Sequence, residues 1–513
     1  MMHLTKKQRQ LLYALAIAAL TLLAMFLLAQ LAFGGNELKL SSNAACMAVQ
    51  PRVAKADPWI AAVWIEDNGD EECSAKGNAM LRAAQYDTGS ETYSWWAAPF
   101  VVENGSSSTA CVTHADVAIK DGVAHIVIAK RRSCAQPQSS LYYRTCDLTN
   151  RSCEEHQYIA QTGVGNSATD VNITVDANGK PHVVYGTASN NPPNGEIYYT
   201  YKNGVSWPET TTNLSITSTE MSTDYPAYHP RIAWNNNRLH VVWDGQIETG
   251  NGVPIYRYCN ADGTCPTEGG PYNLEDSPWD TQGMGTDAKP VVAAQGNRVL
   301  VAWQYCSHHT DSTCDNFQIY YKYSDSNGSA GTFITQTQAL GGGQAWHGTA
   351  GGGYPSTDAT QAGDYASQLN PALALGTDQN PIFTWQQFNA VTPTRMMITT
   401  TIGTTPTTGG GFTGWRHPYG WAIGTDDRWD TRVRPAILLP SYSSPLTPSL
   451  HLFYMKKGPP GSYDYRIDYL YLEEGVIPSA EEEPTVTGSP SATEVPGGSK
   501  VYLPLVNRNF GGE

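Results

Sequence analysis

Short apolar stretches recur along the chain in pairs, each pair split by a polar turn. The clearest copy is HPRIAWNNNRLHVVWDG at His229–Gly245, and the next is DVNITVDANGKPHVVYG at Asp170–Gly186. The phrase returns as KPVVAAQGNRVLVAWQ at Lys289–Gln304 and NPALALGTDQNPIFTWQQ at Asn370–Gln387. Looser copies begin at Met47, Ala115 and Arg434. Alternation within each arm is the two-residue period of a strand, and Asn, Gly and Asp at the centre suit a hairpin turn. A third strand follows most copies, at 79–87, 140–147, 196–204, 254–263, 318–328 and 465–474. A weaker fourth precedes the next copy.

The phrase starts lie roughly 55–80 residues apart, which predicts an array of four-stranded antiparallel units. The expected fold class is all-β, a single β-propeller over 36–474 with seven blades counted and six or eight allowed, because Met47–Trp64 is the loosest copy. Glu37–Ser41 (ELKLS) is expected to supply the outer strand of the last blade, since an open ring leaves two unpaired edges. Tandem sandwich domains are the competing architecture. They would require different first and last strands in each domain.

The flanks carry another pattern. Residues 1–10 hold Lys6, Lys7 and Arg9 and no acid, and Leu11–Ala29 is an apolar run of 19 residues. Basic residues ahead of such a run predict a signal peptide or signal anchor over 1–35, an N-terminal hydrophobic helix. The run is about long enough to span a bilayer. Gln30-Leu31-Ala32 is a poor cleavage site, which favours an uncleaved anchor. Either outcome makes the remainder extracytoplasmic, membrane-anchored or secreted. Residues 475–500 are rich in Pro, Ser, Thr, Gly and acid and read as a disordered linker, and 501–513 is a short apolar C-terminal tail.

Composition then narrows the partners. The chain has 32 Lys and Arg against 47 Asp and Glu, a net charge of −15, and no basic run beyond the N-terminus. Nucleic acid is therefore not an expected partner. All ten cysteines follow the hydrophobic run and none has C-x2-C spacing, so disulfides are expected rather than zinc. The repeat layout favours five local pairs: Cys46 with Cys73, Cys111 with Cys134, Cys146 with Cys153, Cys259 with Cys265, and Cys306 with Cys314.

Three turns between third and fourth strands read YSDSNGSAGTF (Tyr323–Phe333), YKNGVSW (Tyr201–Trp207) and CNADGTC (Cys259–Cys265). They resemble worn copies of the Asp-box (Ser-x-Asp-x-Gly-x-x-x-Trp/Phe) of the sialidase superfamily, the bacterial neuraminidase repeat proteins. The resemblance covers 45–474 at the level of repeat architecture. It implies turns in which Asp and Gly hold the hairpin and an aromatic residue fills the space between strands. Members of that family work with three arginines, a Tyr–Glu pair and an Asp on six blades. This chain has no Arg-Ile-Pro opening and no three arginines at matching blade positions, so the resemblance implies the scaffold without the catalytic set.

In a propeller, the starts of first strands and the ends of second strands share one rim of the central channel. That rule gathers Asp170, His229, Lys289, Asn370 and Arg434 with Glu66, Lys130, Asp244, Gln304 and Gln386, beside Trp243, Trp303 and Trp385. A polar ring with aromatic neighbours predicts a site for a small polar ligand. The purely structural alternative is that Xaa-Pro starts restrict the backbone to an extended form and strand-end tryptophans pack between blades. Asp170, Asp244 and Glu66 are the candidate catalytic carboxylates. Glu66, Asp67 and Asp70, in an acidic loop, would suit calcium. A solvated loop is the alternative, and no other cofactor is expected. His308, His309 and Asp311 are a further metal candidate. HExxH, phosphate-loop, nucleophile-elbow and dinucleotide fingerprints are absent from the sequence. The function expected is an exported binding module for a glycan or a cell-surface protein. The alternatives are a glycoside hydrolase or lyase using the channel carboxylates, and a structural envelope module.

Overall fold

A computed structural model describes the chain between residues 38 and 472, with breaks at 43–47, 68–76, 90–91, 106–109, 134–137, 163–165, 190–194, 216–226, 247–251, 275–287, 311–312, 335–337, 340–366, 377–378, 390–391, 401–411, 413–418, 425–435, 439–449 and 458–464. The N-terminal apolar run, the linker and the C-terminal tail lie outside the described residues. Among the described residues no helix is long and apolar enough to cross a membrane.

Among the described residues the strands form five four-stranded sheets and one ten-stranded sheet. In the larger sheet two antiparallel groups touch through a single pairing, Gly77 with Val112. Counted apart they make seven sheets, whose innermost strands are Ala48–Ala56, Cys111–Lys120, Asn166–Val175, Ala227–Asn235, Val291–Gln295, Ser367–Leu375 and Ala436–Leu438. Each innermost strand neighbours the next in this order, and the seventh neighbours the first. The ring is closed, as a β-propeller requires.

Burial follows the same geometry. Ile197 and Tyr199 of the third sheet share a core with Val241 and Trp243 of the fourth. Val242 and Tyr256, again of the fourth, share another core with Val301 and Trp303 of the fifth. One sheet thus buries both faces, each against a different neighbour, and so its strands are apolar nearly throughout. Tandem sandwiches would not give this alternation.

The closing strand is Leu38–Lys39, inside the predicted Glu37–Ser41, and it pairs with Tyr469 and Asp468 of the seventh sheet. Arg82 of the first sheet latches it. Its guanidinium donates to the carbonyls of Lys39 at 2.9 Å and Leu40 at 3.2 Å, and to Trp96 and Ala97 of its own outer edge at 2.8 and 3.3 Å. Arg257, at the matching position of the fourth sheet, reaches Leu214 O of the third sheet and Cys265 O of its own.

Aromatic residues near the outer strands also join neighbouring sheets. Trp207 meets Tyr143 of the preceding sheet at 5.2 Å between ring centroids, Phe333 meets Tyr256 at 4.8 Å, and Trp95 meets Tyr469 at 4.9 Å. Trp207 and Phe333 end two of the turns singled out in the sequence, whereas Trp95 lies in the strand Thr92–Trp95. The turn at Tyr323–Phe333 differs in its hairpin chemistry: the Ser324 hydroxyl accepts from the Ser326 and Gly328 amides, while Asp325 pairs with Arg298 at 2.6 Å.

Cys146–Cys153 and Cys259–Cys265 are bonded as the repeat layout expects, and Cys111 is disulfide-bonded. Cys46, Cys73 and Cys134 lie outside the described residues. Cys306 and Cys314 lie within the strands Arg298–Thr310 and Thr313–Ser324.

Candidate functional site

At the channel rim several innermost strands share a backbone feature that the sequence reading missed. Gln50, His229, Lys289 and Asn370 each precede a proline and have φ of 57°, 52°, 45° and 51°. This is the left-handed region, not the extended form expected before proline. The physical reason is a bulge: strand pairing skips from Tyr228 to Arg231 and from Leu369 to Ala372. Proline has no amide proton to lose from the ladder, so the skip leaves no proline donor unsatisfied. A non-glycine residue held at positive φ is uncommon, and such positions concentrate at functional sites.

Three predicted residues meet at this rim. His229, Lys289 and Asn370 line a shallow concavity of about 20 Å3, open to solvent, with Arg231, Pro290, Val291 and Pro371. Lys289 Nζ donates to Asn370 Oδ1 at 3.1 Å, and Asn370 Nδ2 donates to Gln386 Oε1 at 2.9 Å. The lining comes from three consecutive sheets and carries two permanent cations, an imidazole and an amide. Among the described residues it contains no carboxylate.

The predicted carboxylates are engaged elsewhere. Asp170 accepts from Arg52 at 3.1 Å and from Arg231 at 2.8 Å, so it links the third sheet to the first and the fourth. Asp244 accepts the Ala288 amide at 2.9 Å and lies 3.7 Å from His229 Nδ1. Gln304 similarly accepts the Asn370 amide at 3.0 Å. Each of these side chains, at the end of a second strand, therefore holds the backbone where the next sheet begins. Glu66 accepts from Ser42 and from Trp64 Nε1 at 2.8 Å, which anchors the segment after the closing strand. Lys130 pairs with Glu103.

Trp243, Trp303 and Trp385 are at most 1% exposed and sit in the cores between sheets, away from the concavity. Strand alternation explains the difference, since the residue after each tryptophan points to the opposite face. Asp70, Asp311 and Arg434 lie outside the described residues, as do the side chains of Asp67, His308 and His309. Among the described residues no group of three or more His, Cys, Asp or Glu could hold a metal ion.

Two polar residues escaped the sequence reading. Arg231 has a visible signal, because Pro-Arg recurs at Pro51-Arg52 and Pro230-Arg231. Asp116 has none. It lies opposite Val127, as Arg52 lies opposite Val63, Asn172 opposite Val184 and Arg231 opposite Val242, so the four occupy one level of the inner ring. Asp116 accepts from the Asn172 side chain and from the Ile173 amide at 2.7 Å, while Asn172 Oδ1 accepts the Ile232 amide at 2.6 Å. Burial pushes the Asp116 carboxyl up to about 6, against the opposing pull of Arg52, the backbone amides and Arg231.

No family model matches this chain, and no curated protein matches it. Among solved structures it is similar to an α-L-arabinofuranosidase of Fusarium graminearum in complex with an iminosugar inhibitor: 10% identity, 86% of this chain and 98% of that one, TM-score 0.45. An α-L-arabinanase of Penicillium chrysogenum complexed with arabinobiose gives 9% identity, the same coverages and a TM-score of 0.44. A Trypanosoma rangeli sialidase gives 9% identity over 85% of this chain and 56% of that one, with a TM-score of 0.35. At these identities and scores the likeness carries no activity across.

Proposed function

We propose that the protein is an exported, sialidase-superfamily-like propeller that binds a glycan at the channel rim through the concavity between its fourth, fifth and sixth sheets. The carrying observation is the lining itself: His229, Arg231, Lys289 and Asn370 converge from three sheets on one small space. Their N–H groups donate to hydroxyl, carboxylate or sulfate oxygens, and two of the side chains are already positioned by Asp170 and Gln386 through intervening bonds. Placing donors on a rigid rim lowers the ordering cost of binding. The disulfides Cys146–Cys153 and Cys259–Cys265 fit an oxidising compartment. A glycan array probed with the wild-type chain and with Lys289→Ala tests the reading. Specific hits weakened at least tenfold by the substitution support it, and hits indifferent to the substitution place the ligand elsewhere.

A second reading, glycoside hydrolysis, rests on Asp116 and Asp170. Both carboxyls feel Arg52 and Arg231, and one is pushed up by burial while the other is bound by both arginines. A carboxyl pushed up by burial suits the acid role in a hydrolase. Against it, Asp116 is 3% exposed and does not line the concavity. Sugar release from arabinan or sialosides by the wild type, abolished in Asp170→Asn, would establish hydrolysis over binding alone.

A further inference from the structure

Four sheets carry the same buried pair. A histidine near the start of the second strand bonds through Nδ1 to the hydroxyl of a tyrosine on the third strand: His125 with Tyr143 at 2.6 Å, and His182 with Tyr199, His240 with Tyr256 and His451 with Tyr469, each at 2.8 Å. The register is identical, because each tyrosine lies opposite the residue two places beyond its histidine (Val127, Val184, Val242 and Phe453). All four histidines are buried.

Two of the other sheets, the fifth and the first, show what that position otherwise accepts. The fifth has Leu300 there, and its Tyr321 hydroxyl instead accepts the Phe412 amide at 3.2 Å. The first has Ala61, with Leu81 in place of the tyrosine. An apolar pair therefore satisfies the fold, and the histidine is not a packing necessity.

We propose that the four His–Tyr pairs make the closed ring acid-labile, because the imidazoles take up protons only when the sheets part. Burial makes these sites poor hosts for a cation, and the charged neighbours are of both signs: His125 faces Lys202 and Asp121, His182 lies 3.7 Å from Asp176 and also faces Lys180, His240 faces Arg238 and Asn327, and His451 faces Lys55 and Asp57. His240 Nε2 is buried with no hydrogen-bond partner among the described residues. Burial holds His125 and His182 down to about 4, and His240 and His451 down to about 3.

The sign follows from linkage. An unfolded histidine binds a proton below about pH 6.5 and the folded one does not, so stability falls as pH drops from there towards 4. The pairs sit in sheets 2, 3, 4 and 7, around the ring, so protonation acts on the closed assembly rather than on one edge.

The test compares wild type with His240→Leu/Tyr256→Phe and His182→Leu/Tyr199→Phe by urea unfolding between pH 4.5 and 7.5. Each replaced pair is expected to lower proton uptake on unfolding by about one, with the two replacements adding. Uptake unchanged in both variants overturns the proposal. The wild-type histidine ring resonances provide a measurement independent of variant folding. Four that stay neutral down to pH 5 in the folded chain support the proposal, and titration of all of them near pH 6.5 overturns it.

Discussion

Arg231 Nη1 lies 2.8 Å from Asp170 Oδ2, and the same carboxylate holds Arg52 from the first sheet. One residue thus orients a cation of the concavity and ties three sheets together around the channel. Replacing Asp170 with Asn leaves two guanidiniums, 12% and 14% exposed, facing a neutral amide. Removing one member of a buried ion cluster costs about 3 kcal/mol or more. Urea unfolding at pH 7 should show a loss of that order, and an unchanged midpoint would mean the cluster is solvated.

Arg82 makes the closure testable in the same way. Its four carbonyl partners include Lys39 and Leu40 of the closing segment. Arg82→Ala leaves buried acceptors unmet and should cost about 2–4 kcal/mol. Hydrogen exchange should locate the loss at Tyr465–Leu472, the strand that the closing segment covers. Uniform exchange across the ring would argue that the latch is dispensable.

Asp116 predicts a pH dependence opposite in sign to that of the histidines. Its folded carboxyl is raised from 3.8 to about 6 by burial. Its contribution is therefore fully present below pH 3.8 and is lost as pH rises through 6. The difference in unfolding free energy between Asp116→Asn and wild type should shift in the variant's favour by about 2–3 kcal/mol from pH 4 to pH 7.5. A difference that stays flat across that range would show the carboxylate to be hydrated.

The two bonded cysteine pairs close short loops, with sequence separations of 7 and 6. Loops of this length constrain the unfolded chain by about 2–2.5 kcal/mol each. Cys259→Ser/Cys265→Ser should lower the free energy of urea unfolding by that amount without changing the far-ultraviolet circular dichroism. A spectral change would assign the bridge a role in forming the fourth sheet.

The repeat was legible because short apolar strands are paired across polar turns, as where the buried Val183-Val184-Tyr185 follows the turn at Asn178-Gly179. The closing strand was legible from Leu38 and Leu40 in a segment otherwise unassigned, together with the need to cover an edge. The positive φ before proline was not, because local sterics favour the extended form there and the bulge is imposed by pairing with the second strand. His229, Lys289 and Asn370 were identified by their place in the phrase, without reference to conformation. Trp243 followed the same positional rule yet faces the core, since one step along a strand reverses the side chain. Asp116 sits in an unremarkable strand, and only three-dimensional proximity to Arg52 and Arg231 singles it out.

A crystal structure of the chain soaked with the best glycan from the array tests the central claim most directly. The account predicts sugar density in contact with His229, Arg231, Lys289 and Asn370. Ordered glycan bound only on the outer strands, with that concavity empty, would contradict it.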